Sequence, residues 1–111
     1  MTHVDKQSDG ANAVKLFSYG TLQEPEIQRM LLGRELTMRR AELAGVKLTV
    51  AYGGMYPALV EGDEKVPGSV LEIYEEELPR LDRYEGPAYV RTVKETVDGE
   101  QVFVYMLEEE L

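Results

Sequence analysis

The chain of 111 residues contains no cysteine, so it has no disulfide, no thiolate nucleophile and no thiolate metal ligand. Histidine is nearly as scarce. His3 is the only one and lies in the polar opening stretch, which leaves no imidazole for a Ser/His/Asp set and no metal-ligand constellation in the body of the sequence. No apolar run approaches the ~18 residues of a membrane-spanning helix. Residues 1–10 also lack the apolar centre of a signal peptide. Gly-x-Ser-x-Gly, Walker and Gly-x-Gly-x-x-Gly motifs are missing. Positive charge is in short supply as well, with 12 Lys and Arg against 21 Asp and Glu for a net charge of −9. The only adjacent basic pair, Arg39-Arg40, is soon followed by Glu42, so no patch suits a phosphate backbone or an anionic membrane surface. These absences set aside nucleic acid and membrane as partners. They predict a cytoplasmic protein without a metal site.

What is present is enough for one packed core. The sequence is 43% hydrophobic, its 10 glycines and 5 prolines are ordinary counts, and its length suits one domain rather than two. Residues 1–13 are polar and aperiodic and read as a mobile leader, with residues 14–111 as the single domain. Val14–Tyr19 alternates as a first strand. Pro25 opens a short helix over residues 24–32, with Ile27, Met30 and Leu31 at helical spacing and Gly33 as its stop. Residues 36–50 have strand character with Gly45 as a bulge, and residues 58–60 and 69–74 read as two further strands. A second helix spans residues 75–85 with Pro79 near its start and Gly86 after it. Residues 89–96 and 101–107 form a hairpin around Asp98-Gly99. The sum is an α+β fold, a curved or closed mixed sheet with two short helices at its rim.

Two features point to chemistry. At about 100° per residue, Tyr74, Leu78 and Leu81 share one direction, and Glu85 falls within roughly 20° of it. The neighbouring acids diverge from that direction, so Glu85 is the carboxylate the second helix turns toward the core. Burial and the helix C-terminus both raise a carboxylate's pKa, which makes it a better general base. The pattern leaves open a buried pair with Arg91, Arg83 or a tyrosine hydroxyl. The second feature is Tyr19-Gly20-Thr21-Leu22. A glycine between a buried strand and a helix lets backbone N–H groups face a small ligand, where they can hold a carboxylate or an oxyanion. An ordinary strand-to-helix turn remains open for this segment. Residues 53–57, Gly-Gly-Met-Tyr-Pro, have the composition of a covering loop, and the tail acids Glu108-Glu109-Glu110 read as solvated.

Phe17-Ser-Tyr-Gly-Thr-Leu22, Pro67-Gly-Ser-Val-Leu71, Leu81-Asp-Arg-Tyr-Glu-Gly86 and Tyr89-Val-Arg91 follow one another in the order of the γ-glutamylcyclotransferase-like (AIG2-like) family, which the chain resembles from about Val14 to Leu107. The resemblance implies a small mixed β-barrel with flanking helices and a lateral cavity. It implies that Glu85 is the catalytic acid/base, that Tyr19, Gly20, Thr21 and Leu22 bind a glutamyl group through main-chain atoms, and that Tyr105 lines the same pocket. The implied reaction cyclises a small-molecule γ-glutamyl amine or peptide to 5-oxoproline and frees the amine, with no cofactor. Because the substrate's own α-amine attacks, the protein need supply no nucleophile, which fits its inventory. The chain departs from relatives in the acidic run Gln23-Glu24-Pro25-Glu26 and in having no tryptophan, and the latter disfavours glutathione. Two alternatives remain: a non-catalytic module of the same fold that binds a small carboxylate or a partner, and another amide-cleaving enzyme that releases glutamate. The sequence does not specify the amine or the oligomeric state.

Overall fold

The computed structural model describes residues 13–51 and 56–108. Five strands, β1 (Ala13–Ser18), β2 (Met38–Ala51), β3 (Tyr56–Tyr74), β4 (Tyr89–Glu95) and β5 (Gln101–Leu107), form one sheet in the order β2-β3-β1-β5-β4. Helix α1 (Pro25–Leu32) and helix α2 (Leu78–Glu85) complete the architecture. The first strand is central, antiparallel to β3 from Ala13↔Tyr74 to Ser18↔Ser69 and parallel to β5. The other pairs are antiparallel hairpins.

Curvature comes from β2. Gly45, at φ 78°, sits where the β2–β3 register slips, and the bend carries β2 round toward β4. Leu43 then bridges Thr96, and the Val97 N–H donates to the Glu42 carbonyl at 3.0 Å. One end of the sheet is thereby drawn together into a half-barrel. Both faces are buried. Leu16, Leu71, Ile73 and Tyr105 pack beneath the helices with Leu22, Leu32, Leu78 and Leu81. Their strand neighbours Phe17, Val70, Val104 and Met106 fill the concave face with Leu43, Val46 and Leu59. The period-2 alternation of each strand therefore feeds two cores.

Several expectations need correction. Residues 58–60 and 69–74 are not separate strands but parts of β3, which continues through Glu61–Gly68. Val46 faces both Glu61 and Glu64, so the polar stretch is a bulge within the ladder rather than a break. Pro67 is tolerated because β1 joins β3 only at Ser69, leaving an unpaired edge beside the proline. Gly68 is required where β3 meets β1: a Cβ there would stand 2.4 Å from the Ser18 carbonyl oxygen. Met30, counted on the apolar face of α1, is 67% exposed, and Gln28 occupies the buried position instead. Residues 75–77 form a separate 3₁₀ turn, and α2 itself starts at Leu78 with Pro79 in its first turn. The Glu77 carboxylate accepts from Arg34 through two bonds of 2.8 and 2.9 Å.

Apart from Ala13, which opens β1, the expected leader lies outside the described residues, as do most of the 53–57 loop and residues 109–111. No helix among the described residues is long and apolar enough to cross a membrane.

Candidate active site

β1 delivers Leu16-Phe17-Ser18 to the sheet, and the chain then leaves it in a tight turn. The Gln23 N–H donates to the Gly20 carbonyl at 3.1 Å and the Glu24 N–H to the Thr21 carbonyl at 2.9 Å. Leu22 is buried beneath the turn. The amide of Gln28 on α1 donates to the Leu22 carbonyl at 2.8 Å, and the Gln23 side chain is held by Ser69 Oγ at 2.8 Å. A turn anchored at this many points presents its backbone in one conformation. Its leading N–H groups, at Thr21 and Leu22, have no acceptor within the turn, as at any helical N-terminus. Gly20 has φ −132°, and a Cβ added there would meet nothing within 4 Å. The protein's own packing therefore does not demand glycine here; the missing side chain leaves open space beside the backbone.

α2 supplies the opposite wall. Leu78 and Leu81 bury its inner face, and one further turn brings Glu85 to the helix end. Glu85 is half-buried, and burial pushes its carboxyl group up to about 7 from the usual 4.5. No hydrogen bond or ion pair reaches that carboxyl from the described residues. Of the partners the sequence left open, Arg91 and the hydroxyls of Tyr19, Tyr84 and Tyr105 have other neighbours, although the buried Arg91 Nη1 makes no hydrogen bond among the described residues. Arg91 lies 3.7 Å from Asp82 and over the Phe103 ring, and the Tyr105 hydroxyl donates to Asp82 at 2.5 Å. The Tyr19 hydroxyl donates to the Tyr105 carbonyl at 3.4 Å, and the Tyr84 hydroxyl pairs with Thr21. Burial first, and nearby negative charge second, hold the Tyr19 hydroxyl well above the usual phenol range. Burial likewise raises Tyr105, reinforced by its bond to Asp82, so both phenols stay protonated donors.

Glu85, Tyr19, Gly20, Thr21, Leu22 and Tyr105 all line one cavity of about 410 Å³. Every residue singled out for chemistry in the sequence is thus brought to the same hollow. Pro57, at the end of the expected covering loop, lines it as well. Sequence reasoning missed Tyr84 and Tyr89 as wall residues, although both stand inside the Tyr84-Glu-Gly-x-x-Tyr89 motif; nothing in their spacing marks where their rings go. Asp82 was also missed, because its partner Tyr105 is 23 residues away. Among the described residues no group of three or more potential ligands could hold a metal ion. A tight backbone turn lining one cavity with a carboxyl group that is unpartnered among the described residues and has a pKa near neutrality can bind an anion at one end of a small molecule and move a proton at the other.

Comparison with known proteins gives concordant results. Residues 16–111 match the family model described as gamma-glutamyl cyclotransferase, AIG2-like. AIG2-like protein C of Arabidopsis thaliana is 39% identical over 90 residues, which cover 79% of this chain and 52% of that one. The gamma-L-glutamyl-butirosin B gamma-glutamyl cyclotransferase of Niallia circulans is 34% identical over 88 residues, covering 75% and 54%. A solution structure of an Arabidopsis thaliana protein superposes with a TM-score of 0.77 at 29% identity, covering 86% of this chain and 62% of that one. The chain spans about half the length of the curated relatives it matches.

Proposed function

The chain belongs to the gamma-glutamyl cyclotransferase, AIG2-like family, and from that premise we propose that it cyclises a γ-glutamyl amine or peptide to 5-oxoproline with release of the amine. The observation that carries the proposal is the Glu85 carboxyl: half-buried, unpartnered among the described residues, and lining one cavity with the Gly20 turn.

The bound glutamyl group presents an α-ammonium, an α-carboxylate and a γ-amide. Backbone N–H groups of the turn hold the carboxylate or, once it forms, the oxyanion. Glu85, ionised near neutrality, takes a proton from the α-ammonium. The freed amine attacks the γ-carbonyl carbon, and the carbonyl π electrons move onto oxygen. When the tetrahedral intermediate collapses, the bond to the leaving nitrogen breaks and Glu85 returns its proton to that nitrogen. The regenerated carboxylate takes the second proton from the ring nitrogen, leaving the neutral lactam, and passes it to the freed amine, which departs as an ammonium. Five-membered ring closure is intramolecular, with effective molarity on the order of 10⁵ M or more when well oriented. Proton transfer and charge stabilisation are therefore what the protein has to add. A group raised to about 7 is half ionised near neutral pH, where it can both accept and return a proton. The name of the Niallia circulans relative supports the same reaction class. A module that only bound carboxylates would gain nothing from a shielded negative group in its cavity.

The test is a panel of γ-glutamyl amines and peptides scored for 5-oxoproline by mass spectrometry. Release of 5-oxoproline from at least one compound is expected, with kcat falling about 10²–10⁴-fold in Glu85→Gln. Free glutamate as the product, or full turnover by Glu85→Gln, would contradict the proposal.

A further inference from the structure

The last turn of α2 carries the proposed acid but has little apolar anchorage. Beyond Leu81 its residues Asp82, Arg83 and Tyr84 are exposed and Glu85 is only half-buried. Helix ends held this way fray unless polar contacts fix them. Besides the Arg91–Asp82 ion pair at 3.7 Å, two hydroxyl contacts do so here. The Tyr105 hydroxyl donates to Asp82 at 2.5 Å, tying the helix to β5. The Thr21 and Tyr84 hydroxyls lie 2.8 Å apart, tying the helix to the turn on the facing wall. Because Tyr19 also donates to the Tyr105 carbonyl at 3.4 Å, these bonds close a circuit from turn to β5 to α2 and back to the turn. Thr21 follows Gly20 and Tyr84 precedes Glu85, so this bond joins the immediate neighbours of the two groups whose separation matters. It is the exposed link of the circuit, with Tyr84 retaining 39% of its surface.

We propose that the Thr21–Tyr84 hydroxyl pair is a clasp across the cavity rim, fixing the gap between Glu85 and the turn, with Tyr84 as a positioning residue for the ring closure. The inference rests on the cyclisation proposed above. Around Glu85 the clasp also controls access of water. The titratable groups on the cavity walls are Tyr19 from the β1 end, Tyr89 from β4, Tyr105 from β5 and Tyr84 on its own helix, with Asp82, paired with Tyr105, on the same turn. Phenols line the site on every side, and no described lysine or arginine does. Loosening the rim therefore changes hydration at Glu85 without exposing it to a new opposite charge.

The clasp is tested with Tyr84→Phe, Thr21→Val and the double variant in the full chain, measuring kcat and KM for 5-oxoproline release separately. Each single variant is expected to lower kcat about tenfold with KM moving less than about twofold, since a misplacement near 1 Å costs up to ~10²-fold. The double variant is expected to fall no further than either single one, because both remove the same bond. Thr21→Ser, which keeps the hydroxyl, is expected to exceed Thr21→Val in kcat by at least about fivefold. Unchanged kcat in Tyr84→Phe, or losses that multiply in the double variant, would overturn the clasp. A second readout is independent of turnover: ¹³C NMR titration of the Glu85 carboxyl is expected to move toward the ordinary carboxylate range in Tyr84→Phe. An unmoved titration overturns the clasp. A moved titration in a protein that cyclises none of the panel overturns the reaction and leaves the clasp as the device that shelters Glu85.

Discussion

At the α1 end of the molecule, Gln28 is fully buried and both ends of its amide are used: the nitrogen donates to the Leu22 carbonyl and the oxygen accepts the Leu36 N–H, each at 2.8 Å. At the α2 end, Glu85 is half-buried and its carboxyl meets no partner among the described residues. Both polar side chains face inward from short helices of eight residues, yet the fold satisfies one and leaves the other open. Buried polar groups are normally hydrogen-bonded because desolvation without a partner costs free energy. The satisfied amide is structural and locks the turn from below. The unsatisfied acid is what a proton-transfer site needs, at some expense of stability.

The contrast can be broken by mutation. Gln28→Leu fits the volume poorly and strands the Leu36 N–H and the Leu22 carbonyl, each worth about 1–3 kcal/mol when buried without a partner. A loss of about 2–4 kcal/mol in urea unfolding is expected, and a change below 0.5 kcal/mol would mean that the amide is not the keystone described. Glu85→Gln should act in the opposite direction. The folded carboxyl binds its proton more tightly than the unfolded one, so stability falls as pH rises from 4.5 to about 7 and the full penalty applies above that. Relative to wild type, Glu85→Gln should gain roughly 1–3 kcal/mol at pH 8 and nothing near pH 4. Thermal unfolding at the two pH values checks the sign, and destabilisation at pH 8 would mean that the acid has a partner.

Much of this was legible in the residues. Leu78 and Leu81 set the direction of α2, and simple helical geometry placed Glu85 on the inward side. The strand-glycine-helix order marked the turn. The Asp98-Gly99 hairpin formed as expected, with Gly99 at φ 89°. What escaped were features decided by distant partners. Gln28 looks like a surface residue until the Leu22 carbonyl and the Leu36 N–H converge on it. Pro67 and Gly68 look like a strand break until β2 is seen to pair across them. Asp82 and Tyr84 gain their roles from Tyr105 and Thr21, contacts that local periodicity does not encode. The resemblance to a family supplied the reaction class, and the residues alone supplied only an acid facing a turn.

The most direct test is the titration of the Glu85 carboxyl in the wild-type protein, followed by ¹³C NMR and assigned by its disappearance in Glu85→Gln. A midpoint of about 7 is expected for a group shielded by the cavity walls. A midpoint at the ordinary 4.5 would place the carboxyl in bulk water or against a cation, and would contradict the account.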